Sequence, residues 1–231
     1  MRSLLLLSLL LAACGAPDTT EATDAGFSVD GGTDGGDGLP RDTCGHVRPN
    51  AFANKVISFK PGEHAGFGQD RYPCIVLGGP EGGGDMAGSL DVLSLGSGGE
   101  IVLSFEDVEL VDGPGPDLLV FENSFSGYVE TASVAVSIDG TEWHEWTCTP
   151  EKESGYPGCA GVASVRASSV NGIDATDPAK AGGDAFDLAD LGLFSARFVR
   201  IRDTGTNPAE GISGGFDLDA IAAVHSQALE P

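Results

Sequence analysis

Two acids bound one apolar run of the chain. In DLLVFE, Asp117 opens and Glu122 closes a stretch whose interior is Leu118, Leu119, Val120 and Phe121. Four consecutive apolar side chains belong in a core, where an ionised carboxylate is costly unless it is paired or metal-bound. Calcium suits such groups, since it takes about six to eight oxygen ligands from carboxylates and carbonyls. The competing explanation is ion pairing with Arg197, Arg200 or Arg202. Paired carboxylates can also flank a glycosidic bond as acid and base. With 35 Asp and Glu in the chain, however, pairs arise by chance and do not mark a cleft.

A second stretch, Gly211-Ile212-Ser213-Gly214-Gly215, fits the G-x-S-x-G pattern of a nucleophile elbow. That chemistry needs a strand before the serine, a helix after it and a histidine base. Here TGTNPAE precedes and a β-like run follows, and His46, His64, His144 and His225 sit in no partner motif. The stretch reads as a glycine-rich turn feeding the last strand.

The elements that must position these residues are short. Val56–Phe59, Cys74–Leu77, Leu90–Leu95, Glu100–Phe105, Asp117–Glu122, Ala132–Ile138, Glu142–Cys148, Ala196–Arg202 and Phe216–Val224 read as strands separated by turn residues. Gly96-Ser97-Gly98-Gly99 predicts a hairpin between two of them. Only Asp184–Leu191 reads as helical, for a turn or two. Many short strands at regular spacing predict an all-β sandwich.

The start of the chain, MRSLLLLSLLLAACGAPD, has a basic residue, Arg2, and an apolar run from Leu4 to Leu11. That run is too short to span a bilayer and reads as an export signal. Leu11-Ala12-Ala13-Cys14 resembles the bacterial lipobox, in which the cysteine is acylated and becomes the mature N-terminus. Gly15, in place of Asp, favours the outer membrane or cell surface by analogy with known sorting signals. Gly, Asp and Thr dominate up to residue 43, as in a flexible acidic tether. The expected organisation is a signal over 1–13, the acylated Cys14 and linker over 14–43, and one domain over 44–231.

The formal net charge of −23 repels nucleic acid and anionic head groups and attracts divalent cations. Four cysteines remain besides Cys14, and an even number in an exported chain predicts disulfides with three connectivities open. Cys44–Cys74 and Cys148–Cys159 are favoured, the second closing the loop TPEKESGYPG. Zinc is disfavoured because no C-x-x-C spacing occurs.

Three segments resemble discoidin-type, galactose-binding-like jelly-roll modules. They are Val134–Trp143 (a strand, a DG turn and a tryptophan), Ala196–Ile201, and Phe216–Ile221 with its acids. The chain is also similar to a poorly characterised group of bacterial cell-surface proteins, through Leu77–Glu81, Ser94–Gly99, Val120–Asn123 and Phe186–Asp190. The resemblance implies a jelly-roll β-sandwich holding one structural calcium between an early loop and the last strand. Glu81 lies in the early loop and Asp217 and Asp219 on the last strand, where alternation puts those two on one face. With Asp117 and Glu122 they make the expected ligand set, and Asp85 is a reserve. The resemblance also makes Trp143 the core tryptophan, leaving Trp146 on the opposite side. Trp146, Tyr128 and Tyr156 are then the aromatics able to stack on a sugar. The reading is a lipid-anchored surface module that binds glycan or protein without catalysis. A secreted polysaccharide hydrolase is the alternative.

Overall fold

A computed structural model describes residues 38–206 and 211–229. Cys14 and the signal, with the linker as far as residue 37, lie outside the described residues. The strands are β1 (Lys55–Lys60), β2 (Leu93–Ser94), β3 (Glu100–Ser104), β4 (Val108–Val111), β5 (Leu118–Glu122), β6 (Ala132–Ser137), β7 (His144–Glu145), β8 (Asp184–Phe186), β9 (Ser195–Ala196), β10 (Phe198–Asp203), β11 (Asp217–Ala223) and β12 (Ser226–Ala228). They form a β-sandwich. One antiparallel sheet runs β1-β3-β10-β6-β7 and the other β2-β11-β5-β8, with a small third sheet β12-β4-β9.

Leaving out the edge strand β1 and the small sheet, the order is that of a jelly roll. The chain passes from β2 in one sheet to β3 in the other, then to β5, β6 and β7, back to β8, and on to β10 and β11. The Gly96–Gly99 turn is therefore no hairpin. β2 pairs with β11 and β3 with β1 and β10, so the glycines carry the chain across the gap between the sheets. Such a crossing leaves the hydrogen bonds of both flanking strands for other partners.

The inner row of β5, Leu118 and Val120, packs with Leu103, Val136, Ile201 and Ile221 in the core between the sheets. Its outer row, Leu119 and Phe121, packs with Ala220, Ala222, Val165, Ala167 and Ala181. The segment before β8 thus roofs the second face of this sheet. Burial on both faces explains why DLLVFE is a continuous apolar run rather than an alternating one.

Several boundaries differ from the sequence reading. Cys74–Val76 is a 3-10 turn, not a strand, with the Val76 and Leu77 amides bonded to the Pro73 and Cys74 carbonyls. Asp184–Leu191 divides into β8 and a 3-10 turn capped by Asp187. The ordered chain reaches back past Cys44: Arg41 bridges Val47, and the Arg48 amide donates to the Pro40 carbonyl. Both disulfides, Cys44–Cys74 and Cys148–Cys159, pair as favoured.

Candidate functional site

The antiparallel pairing of β5 with β11 sets Glu122 opposite Leu218, so the last residue of one strand lies beside the first residues of the other. Asp203 ends β10 and Asp184 begins β8. Glu130 stands two residues before β6. Five carboxylates therefore gather towards one end of the sandwich, and they divide by how they are satisfied. Asp184 accepts from the amides of Gly161, Val162 and Ala163 at 2.7, 3.0 and 3.1 Å. Asp203 accepts from Gly98, Gly205 and Phe216 at 2.7, 2.8 and 2.9 Å. Backbone amides thus meet both carboxylates, although burial still raises Asp184 to about 6.

Glu122, Glu130 and Asp217 lack that cover. They are 1, 1 and 3 % exposed. Both Glu122 oxygens, Oε2 of Glu130, Oδ1 of Asp217 and Oδ1 of Asn123 are buried without a hydrogen-bond partner. The remaining oxygens are thinly served: Tyr128 donates its hydroxyl to Glu130 Oε1 at 2.9 Å, and Ser213 donates to Asp217 Oδ2 at 3.2 Å. Burial, and then the charges of Glu130 and Asp217, hold the Glu122 carboxyl well above the ordinary range. Burial and Asp217 push Glu130 up to about 8. Burial also raises Asp217. Among the described residues no ion pair reaches these three. The arginines weighed as partners point elsewhere: Arg202 pairs with Glu100, and Arg200 pairs with Glu145 and lies over Trp143.

The other expected ligands are separated from this group. Asp117 is fully buried, and its partners account for the charge. Oδ1 accepts from the Gly113 amide and meets His225 Nδ1 at 2.8 Å, while Oδ2 accepts from the Leu188 amide at 2.8 Å. Its carboxylate joins the end of β11 to the turn after β8, and a histidine 108 residues away, rather than any of the three arginines weighed as an alternative to calcium, is its side-chain partner. Asp112, Asp117 and Asp187 bring oxygens within 4.8 Å of one another. Asp112 is exposed, though, and both oxygens of the buried Asp117 already have partners.

Asp219 is the irregular residue of β11. The register shifts between Leu218 and Ala220, which breaks the strict alternation by which the two acids are assigned one face. Both oxygens of Asp219 turn to the backbone amide of Glu81, at 3.2 and 3.0 Å. The early loop thus meets the last strand as the resemblance implies, but through an amide. The Glu81 carboxylate accepts from the Ser169 amide instead. Burial holds the Asp219 carboxyl well above its ordinary range. Asp85, the reserve, pairs with Arg166 at the surface.

The aromatics are also redistributed. Trp146 is the core tryptophan, 6 % exposed and tilted against Phe186 at 5.0 Å, with its indole N–H on the Asp187 carbonyl. Trp143 is the half-buried one, under Arg200. The two flank β7 and face opposite ways, as expected, but the inner and outer assignments are exchanged. Trp146 and Tyr156 line one hollow of about 370 Å3 together with Phe186, Asp184 and Asp190. Tyr156 takes a left-handed backbone conformation, φ 59°, which costs energy in a residue with a bulky side chain. The Cys148–Cys159 disulfide closes the loop that carries it. Tyr128 belongs to a different loop, stacked on Phe125 at 5.3 Å.

Ser213 does not form an elbow. It makes a backbone bridge to Ala65, and its hydroxyl serves Asp217 rather than a histidine. Glu130 and Asn123 are the members of the acidic group that sequence reasoning missed. The signal for Glu130 was available, because an acid there heads the apolar strand ASVAVS as Asp117 heads LLVFE. Compared with known families and curated proteins, the chain matches no family model and no individual relative.

Proposed function

We propose that this chain is an exported lipoprotein, acylated at Cys14 and held at the outer membrane or cell surface, whose calcium-stabilised sandwich is a non-catalytic glycan-binding module. One observation carries the binding reading: Tyr156 and the acid Asp190 line a hollow whose floor is the buried Trp146 and Phe186. An aromatic wall stacks on the apolar face of a sugar ring, while carboxylates accept from its hydroxyls. The strained backbone of Tyr156, inside a disulfide-closed loop, supports a side chain held in place for contact. A preformed site of this kind binds without paying to order itself.

The test is titration of the full-length protein with galactan, mannan and xylan, followed by tryptophan fluorescence. A saturable change is expected with at least one of them. Tyr156→Ala should weaken binding about tenfold, the size of one lost aromatic contact, with Asp190→Asn weakening it in the same direction. No response to any polysaccharide would end the glycan reading. Shortened chains in the mixture would establish the hydrolase alternative.

A further inference from the structure

The uncompensated acids at the loop end of β5 and β11 have no role in the glycan-binding hollow. Three nearly inaccessible carboxylates lie close enough for each to disfavour ionisation of the next. Among the described residues, four of their six oxygens, with the amide oxygen of Asn123, are buried without a hydrogen-bond partner. At the same end of the molecule the fold satisfies Asp184 and Asp203 with three backbone amides each. Amide cover was therefore within reach of this chain, and Glu122, Glu130 and Asp217 do without it. Buried charge without a donor or a base is retained where a cation supplies the compensation.

We infer that Glu122, Glu130, Asp217 and the Asn123 side-chain carbonyl are the seat of a calcium ion that joins the ends of β5 and β11 to the loop before β6. The inference rests on the calcium part of the proposed function and moves the ion away from Glu81, Asp117 and Asp219. The donor set is oxygen alone, which selects a hard cation over zinc or copper. Five free oxygens, completed by water, fall within calcium's range of about six to eight, and their irregular origin suits calcium better than the octahedral cage that magnesium demands. The three carboxylates do not bring oxygens within 4.8 Å of one another as Asp112, Asp117 and Asp187 do. Seating one ion therefore requires Glu122 and Glu130 to rotate their carboxylates towards Asp217. The Tyr128 hydroxyl on Glu130 links the seat to the Phe125–Tyr128 loop.

The experiment measures calcium affinity by calorimetry and thermal stability in calcium and in chelator, on the full-length protein. Glu122→Gln and Glu130→Gln should each weaken calcium binding about tenfold or more. In chelator the same variants should melt at or above the parent, because each replaces a buried carboxyl crowded by other acids with an amide that cannot ionise. That second readout shows that the variants fold and that the lost affinity is local. Asp117→Asn and Asp219→Asn should leave calcium affinity unchanged. If Asp219→Asn abolishes binding while Glu122→Gln does not, the seat is wrong and the calcium reading survives. If neither calorimetry nor melting responds to calcium, both fall. An equal response to magnesium would overturn the choice of ion.

Discussion

At the scale of single residues, the neighbours decide what each carboxylate is. Asp117, Asp184 and Asp203 are carboxyls held by amides and a histidine, whereas Glu122, Glu130 and Asp217 are carboxyls crowded against one another. The difference has a pH signature. Glu130 is raised from its ordinary 4.5 to about 8. Across that window the folded protein holds a proton that the unfolded chain has released. The stability this confers is complete below 4.5 and lost as pH rises through about 8. Glu122 and Asp217, also raised, act in the same sense. Asp42 and Glu100, whose carboxyls are lowered by hydrogen bonds and basic neighbours, act oppositely, losing stability as pH falls through their own lower values. In chelator the melting temperature should therefore decline between about pH 5 and pH 8. Calcium should remove most of that decline, and Glu130→Gln should flatten the chelator curve. A chelator profile that rises across this range would contradict the burial of these acids.

At the scale of elements, the group is held together by contacts that sequence distance hides. Gly161 is the clearest case. Its φ is +91°, its amide donates to Asp184, and a Cβ there would stand 1.8 Å from the Glu130 carbonyl oxygen. Only glycine lets the segment after the Cys148–Cys159 loop lie against the chain just before β6. Gly161→Ala should destabilise the domain by about 2–4 kcal/mol through backbone displacement, read as a lower denaturant midpoint, and should weaken calcium binding as well by moving Glu130. Unchanged stability would mean that this approach is not a constraint. The β11 irregularity acts on the same scale. One shift between Leu218 and Ala220 sends Asp217 towards Ser213 and Asp219 towards the Glu81 amide. Strict alternation would have kept the two acids on one face.

At the scale of the whole molecule, the proposal joins an anchor to a sandwich. If Cys14 is acylated, the protein should partition into detergent and incorporate labelled fatty acid. Cys14→Ala should abolish both, and equal partitioning of that variant would remove the anchor from the proposal. Much of the architecture was legible in the chain. Short runs and glycine turns predicted the all-β class, an even cysteine count the disulfides, and LLVFE a strand in the core. These are local properties: strand length, turn chemistry and apolar content depend on neighbours a few residues away. What only the tertiary structure decided was pairing across distance. It turned the Gly96–Gly99 turn into a crossing between sheets, exchanged the inner and outer tryptophans, supplied His225 for Asp117, and left Glu122, Glu130 and Asp217 without a base among the described residues. A carboxylate's worth depends on which donors lie within a few ångströms, and in an antiparallel sandwich those donors come from strands a hundred residues apart.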